Sequence, residues 1–325
     1  MESQGYDGWW WPPQRPWAPQ PDRLQDALGW ITATVEADLR LPLEYTVEFT
    51  LLPESWLELQ QDANFQVCKR RLFRASFDSS RSVVTIMAPR PHRHRAVVRF
   101  LADLARKTIS DRRPDLSPML LVPQGEDMMR EFEGEYKSSQ IQPDVWIHLP
   151  SAPFTKQGHT MVEVGVYQPL KNLRALVPLY MKGYSSIQRV ILVKITETPV
   201  FSQLAWVSIE RPQRFDFSQD FRKEFRKDME TGEFWFGDVR LTGKIELFWE
   251  VWERNATGDA EKTFEEWVEY GSAPSRNLPF IHISGMEVPI TPEMMKGFWN
   301  DYFDYGSMKD AFKRAFESLD ELWQP

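Results

Sequence analysis

The sequence predicts an α/β protein built around a mixed central sheet that is flanked by helices. Residues 143–195 follow the order strand, strand, helix and strand, and the last strand, QRVILVKI, is almost entirely apolar. Such a run is typical of a strand whose two faces are both covered. The length of 325 residues, of which 42% are hydrophobic and 26% charged, suffices for a large buried core.

Apolar periodicity predicts the elements in chain order. Helical spacing of apolar residues predicts helices at 24–39, 94–107, 171–184 and 298–323. Alternating or β-branched segments predict strands at 45–52, 72–77, 82–87, 119–123, 143–149, 159–167, 188–195, 202–211 and 243–254.

Composition divides the chain into three regions. Residues 1–23 are rich in Trp, Pro and Gln, which predicts a disordered or polyproline-type tail. Its tryptophans are expected to pack on the domain or to bind a protein partner. Residues 24–200 are predicted to form the core, and the aromatic, acidic residues 201–325 an extension packed on it.

The predicted compartment is intracellular, nuclear or cytoplasmic. A single cysteine, Cys68, excludes an internal disulfide, and the N-terminus lacks the pattern of a signal peptide. We expect no transmembrane helix, because no run of about 18 apolar residues occurs. One cysteine and five histidines also exclude a zinc finger.

Charge is distributed unevenly along the chain. The net charge is −8, but the segment 69–113 holds 13 Lys and Arg residues against 3 Asp, so its net charge is 13 − 3 = +10. Such a segment either forms one positive patch or lies scattered over solvated helix surfaces.

Two carboxylates mark a candidate metal site. Asp144 begins one predicted strand and Glu163 lies in the next, with 18 residues between them. Neighbouring strands bring such side chains together, and their repulsion is costly unless a cation neutralises it. Magnesium suits a site of this kind, because it binds carboxylates, water and phosphate oxygens.

The order of motifs resembles a known superfamily. QIQPDVWI, MVEVGVYQ, a helix and IQRVILVKI follow VVTIMAPRPHRHRAVVRFL. This series is similar to the PD-(D/E)XK nucleases, and most similar to restriction-endonuclease-like proteins of bacteria and a related fungal group. The likeness covers about residues 80–200. It implies a restriction-endonuclease-like fold and Mg-dependent hydrolysis of DNA phosphodiesters.

The resemblance also implies roles for individual residues. Asp144 and Glu163 would bind Mg (or Mn), with a carboxylate from Glu131 or Glu133 as a further ligand. DNA contacts would come from the basic stretch beside the helix start, which comprises Arg90, His92, Arg93, His94 and Arg95. A homodimer is also compatible with this class of protein.

One signature position departs from the family pattern. The lysine expected two residues after Glu163 is replaced by Gly165. Loss of a cation at such a position commonly lowers the rate by about 100- to 1000-fold. Gln168, or a lysine of the following helix such as Lys182, is a candidate replacement.

Two other classes of function stay open. The chain is alternatively a catalytically degenerate binding or protein-interaction module, which Gly165 and the acidic C-terminal half favour. An enzyme acting on carbohydrate is a weaker alternative, suggested by 14 Trp residues and many carboxylates. Phosphate-binding glycine loops and the G-x-S-x-G nucleophile motif are absent, which argues against kinases, ATPases and serine hydrolases.

Overall fold

The computed structural model confirms the predicted class, since it combines helices with several β-sheets. It describes residues 22–36, 46–71, 73–88, 90–115, 122, 128–148, 159–166, 168–199, 225–236, 238–283, 286–304 and 308. The tail 1–23 and the predicted strands 119–123 and 202–211 lie almost wholly outside the described residues.

A five-stranded mixed sheet forms the centre of the protein. Its strand order is β11-β10-β6-β5-β4, and only β5 and β6 run parallel. A helix, α5, connects these two strands, as a parallel pair requires. The bounds are β4 (Val145–Ile147), β5 (His159–Gly165), α5 (Leu170–Gly183), β6 (Ile187–Thr198), β10 (Lys244–Arg254) and β11 (Ala260–Glu269).

Each face of the central sheet has its own core. One face presents Val162, Val164 and Val193 to a core that includes helix α4 (His92–Arg112). On the opposite face, Met161 and Leu192 pack against α5. The apolar run of β6 therefore reflects burial on both faces, as the sequence predicts.

A second, antiparallel sheet lies N-terminal to the central one in the chain. It has the strand order β1-β3-β2, and its apolar face packs with three helices around Trp56 and Phe77. The bounds are α1 (Leu24–Glu36), β1 (Thr46–Thr50), α2 (Pro53–Gln61), α3 (Ala63–Arg71), β2 (Arg74–Asp78) and β3 (Val83–Met87).

The C-terminal part contributes more than a peripheral layer, because β10 and β11 extend the central sheet. The predicted helix 298–323 is described only at its start, which is a π-helix. The remaining elements are a 3-10 turn (Gly134–Tyr136), β7 (Phe225–Lys227), β8 (Phe234–Phe236), β9 (Val239–Arg240), β12 (Leu278–Ile283), β13 (Met286–Ile290), α6 (Pro292–Gly297) and the π-helix (Phe298–Phe303). None of the described helices combines the length and apolarity needed to cross a membrane.

A glycine permits close backbone contact where β10 begins. A Cβ atom at Gly243 would lie 2.2 Å from the carbonyl oxygen of Pro199 and 2.6 Å from the carbonyl carbon of Thr198. These are backbone atoms, so the end of β6 would have to move to admit a side chain.

We expect Gly243→Ala to lower the free energy of unfolding by about 3 kcal/mol, because this overpacking cannot be relieved by rotating a side chain. Urea denaturation measures the change. The matched control is Gly29→Ala on α1, where a Cβ would meet nothing within 4 Å; it should raise stability by about 0.5–1 kcal/mol. Equal effects of the two substitutions would contradict the close contact at Gly243.

Candidate functional site

The structure brings Asp144 and Glu163 near each other at one end of the β4–β5 pair. Val145, the first residue of β4, pairs with Val162, so Asp144 and Glu163 are the next residues along the two chain segments. Both are buried, with 1% of Asp144 and 6% of Glu163 exposed. We call these two residues the acid pair.

Each oxygen of Asp144 accepts hydrogen bonds. Oδ1 accepts from Arg90, whose Nε lies 2.8 Å away. Oδ2 accepts from His94 Nε2 at 3.0 Å and from the backbone N–H of Val164 at 2.8 Å. A second guanidinium, that of Arg74, lies 3.5 Å from Oδ1.

These neighbours keep Asp144 ionised. Burial alone would raise the pKa of Asp144, but His94 and Arg90 hold it well below its usual range. Burial lowers the pKa of His94, whose Nε2 contacts Oδ2 of Asp144. The carboxylate is thus satisfied by one ion pair and two further N–H donors.

Glu163 lies in a different environment, which favours its protonated form. Tyr180 on α5 donates a short hydrogen bond to Oε1 of Glu163. Burial raises the pKa of Glu163 well above its ordinary value, and the charge of Asp144 raises it further. Burial and the adjacent Glu163 also raise the pKa of Tyr180, so the phenol keeps its proton.

The described polar contacts of the acid pair are all with donors of the protein itself. Both oxygens of Asp144 are already occupied by donors, and a metal ion beside them would face the guanidiniums of Arg74 and Arg90. Among the residues that the structure describes, no group of three or more His, Cys, Asp or Glu side chains is arranged to hold a metal ion. Arg74 and Arg90 are the guanidiniums that the structure places beside Asp144.

The signature position is closed to a larger side chain. A Cβ on Gly165 would lie 2.7 Å from Cδ1 of Leu173, so a lysine there would require Leu173 to shift. The parallel register of β5 and β6 places Lys194 beside Gly165 on the same face of the sheet. Lys194 donates a short hydrogen bond to the carbonyl oxygen of Val166.

The two suggested replacements for that lysine, Gln168 and Lys182, lie just before α5 and in its last turn. Gln168 is half-buried just before α5. Lys182 is exposed in the last turn of α5, two residues after Tyr180. Two residues correspond to about 200° around a helix, so Lys182 points away from the side that carries Tyr180.

Glu133, the suggested additional metal ligand, lies elsewhere on the surface. It is exposed and accepts a hydrogen bond of 2.9 Å from Ser185 Oγ. The acid pair, by contrast, is buried. Glu133 therefore links the 3-10 turn to the segment between α5 and β6.

The five basic residues predicted to contact DNA occupy three environments. Arg90 and His94 bind Asp144, as described above. Arg93 is fully buried, and its guanidinium lies 3.1 Å from Glu197 on β6, so this residue forms a core ion pair. His92 and Arg95 lie in the first turn of α4 and contact each other at 2.8 Å, with Arg95 exposed.

Sequence analysis missed two members of the site, Arg74 and Tyr180. Arg74 occupies a half-buried position of the alternating strand β2, which local pattern assigns to a solvated face. Tyr180 lies in the apolar stripe of α5, where an aromatic residue is ordinarily part of the core. Only the packing of separate elements shows that both face the acid pair.

A comparison with protein-family models, curated proteins and solved structures found no match for this chain.

Neutralising Asp144 should lower the free energy of unfolding strongly, whereas neutralising Glu163 should change it little at acidic pH. Asp144→Asn removes the counter-charge of buried guanidiniums and should lower the free energy of unfolding by about 3–5 kcal/mol. Glu163→Gln resembles the protonated form that burial favours and should change it by less than about 1 kcal/mol at acidic pH.

The pH dependence supplies the control for this comparison. The folded-state pKa of Glu163 is raised, so its contribution to stability is present below the unfolded pKa and is lost as pH rises towards the folded pKa. Urea unfolding at about pH 4.5 and about pH 8 should show Glu163→Gln gaining on the wild type at the higher pH. Stabilisation by both substitutions would instead indicate two repelling carboxylates without internal counter-ions.

A cluster of aromatic rings lies where β4 ends and β5 begins, at the opposite end of these strands from the acid pair. His148 stacks on Trp146 with ring centroids 3.9 Å apart, and His159 lies 5.4 Å from His148. Burial, with a smaller contribution from the neighbouring His159, lowers the pKa of His148 to about 4. Burial likewise lowers the pKa of His159, whose Nδ1 contacts Ser186 Oγ at 2.8 Å.

This cluster should weaken the fold in acid. Because the folded pKa of His148 lies below its unfolded value of about 6.5, the stability that depends on the neutral ring is lost as pH falls from that value towards 4. His148→Phe keeps a stacking ring without the titration, so its stability should fall less over this range. His282→Phe, at an exposed position on β12, is the control. Parallel pH profiles for wild type and His148→Phe would disprove the role of His148.

Proposed function

We propose that this chain has a restriction-endonuclease-like core and acts as a non-hydrolytic binding module. The observation that carries the proposal is the saturation of Asp144 by Arg90, His94 and the Val164 N–H. A carboxylate that is fully engaged by internal donors stabilises the fold instead of recruiting a metal ion.

The neighbouring signature position supports the same conclusion. Gly165 offers no charged group to an attacking water or a phosphate, and Leu173 occupies the space that a side chain there would enter. The β4–β5–α5–β6 succession still agrees with the order of motifs in the PD-(D/E)XK proteins. We therefore propose a nuclease-like fold whose site lacks the cationic side chain of the signature lysine.

Metal-dependent hydrolysis of DNA is a second candidate, favoured by the position of the acid pair. Asp144 directly precedes β4 and lies near Glu163 of the adjacent β5, and two neighbouring carboxylates are what a shared Mg²⁺ ion requires. For this candidate to hold, Arg90 and Arg74 would have to leave Asp144, and Glu163 would have to lose its proton.

A nuclease assay separates the two candidates. We expect the purified wild type to leave supercoiled plasmid, single-stranded DNA and RNA intact in the presence of Mg²⁺ or Mn²⁺, because the acid pair is engaged by donors of the protein itself.

The matched control is Glu163→Gln, which should keep the fold and is purified identically. Cleavage that requires the divalent ion and disappears in Glu163→Gln would establish the hydrolytic candidate and refute the proposed one. Cleavage that is equal in both proteins would indicate a contaminant and leaves the expected inactivity in place.

A further inference from the structure

The guanidinium group of Arg74 has more N–H donors than nearby hydrogen-bond acceptors among the described residues. It extends from β2 towards the acid pair, and its Nε has no hydrogen-bond partner among the residues that the structure describes. Its Nη2 meets the sulfur of Met87 at 3.9 Å, and its Nη1 lies 3.5 Å from Asp144 Oδ1. A guanidinium carries five N–H donors and is ordinarily matched by carboxylate or phosphate oxygens in a fork.

Asp144 does not meet the needs of Arg74. Its Oδ1 is already bound by Arg90, with contacts of 2.8 Å to Nε and 2.7 Å to Nη2. Its Oδ2 is bound by His94 and Val164. The 3.5 Å contact to Arg74 is therefore a weak, secondary interaction. The Arg74 guanidinium can still donate to a closer acceptor.

Two guanidiniums, those of Arg74 and Arg90, approach the single carboxylate of Asp144. The other acid of the cluster, Glu163, accepts a hydrogen bond from Tyr180.

Exposure indicates the side from which an anion would approach. The side chains of Arg74 and Arg90 keep 18% and 14% of their surface accessible, whereas that of Asp144 keeps only 2%. The edge of the cluster that solvent reaches is thus formed by the side chains of the two arginines, whereas the carboxylate of Asp144 is almost wholly buried. An incoming anion meets donors before it meets the carboxylate.

We propose that Arg74, assisted by Arg90, binds a phosphate oxyanion at this edge of the cluster. The inference rests on the proposed binding function and names its ligand chemistry. The phosphodiester of a nucleic acid and free inorganic phosphate share this chemistry, and the two sources differ in the size of the molecule that must reach the edge.

The experiment compares the wild type with Arg74→Gln, Arg74→Lys and a matched control, Arg99→Gln. Arg99 is an exposed arginine of α4 that pairs with Asp103, so its loss removes the same charge from another surface. One arm measures fluorescence anisotropy with labelled single-stranded and duplex DNA of about 20 nucleotides at about 0.1 M salt. The other arm measures the melting temperature with inorganic phosphate against chloride at equal ionic strength.

We expect Arg74→Gln to weaken binding by about tenfold or more in at least one arm, because a charge-assisted, forked contact is lost. Arg74→Lys should recover part of the affinity, since it keeps the charge without the fork. Arg99→Gln should stay within about twofold of the wild type. Should Arg74→Gln fail to fold, the comparison of Arg74→Lys with Arg99→Gln carries the test.

The pattern of results distinguishes the sources and the proposals. Dependence on Arg74 in the DNA arm assigns the phosphodiester, and dependence in the phosphate arm alone assigns the free ion. Absence of binding in both arms, or equal losses in Arg74→Gln and Arg99→Gln, overturns the assignment. If the binding assays fail to show a role for Arg74, the result of the nuclease assay is unaffected. Metal-dependent cleavage in the nuclease assay would refute the non-hydrolytic function, whatever Arg74 binds.

Discussion

The arrangement of the site depends on the contacts that the buried carboxylate of Asp144 makes. It joins Arg90, which follows β3, to His94 on α4 and to the backbone of β5. Arg74 of β2 approaches the same carboxylate, so the N-terminal sheet and the central sheet meet around one buried charge. Because burying an unpaired charge costs several kcal/mol, these elements have to be placed together for Asp144 to remain ionised.

A pair of buried acids can either bind a metal ion or pair with cationic side chains, and the surrounding residues determine which of the two occurs. A divalent cation and a guanidinium both satisfy a carboxylate, but they exclude each other where space and charge are limited. Arg90 and Arg74 lie close enough to neutralise the Asp144 carboxylate without a metal ion. Burial, and next the charge of Asp144, raise the pKa of Glu163 although Arg74 and Arg90 act to lower it, and Tyr180 donates a hydrogen bond to the Glu163 carboxyl group.

Sequence periodicity predicts those parts of the fold that bury continuous apolar patterns. The predicted strands around Asp144 and Glu163, the helix α5 and the apolar β6 all appear close to their expected positions. The short helices α2 and α3 were not foreseen; in α2, only Trp56 and Leu59 are buried. The edge strand β11 was also missed, because its sequence AEKTFEEWVE is largely exposed and charged.

Contacts between distant segments explain why the site is harder to predict than the fold. The position of Gly165 is evident from the motif spacing, but the presence of Lys194 beside it follows only from the register of two parallel strands. Arg74 reaches the acid pair from a different sheet, through a position that local alternation assigns to solvent. A motif therefore identifies which acids lie together, whereas the chemistry of those acids is determined by cations that the motif does not contain.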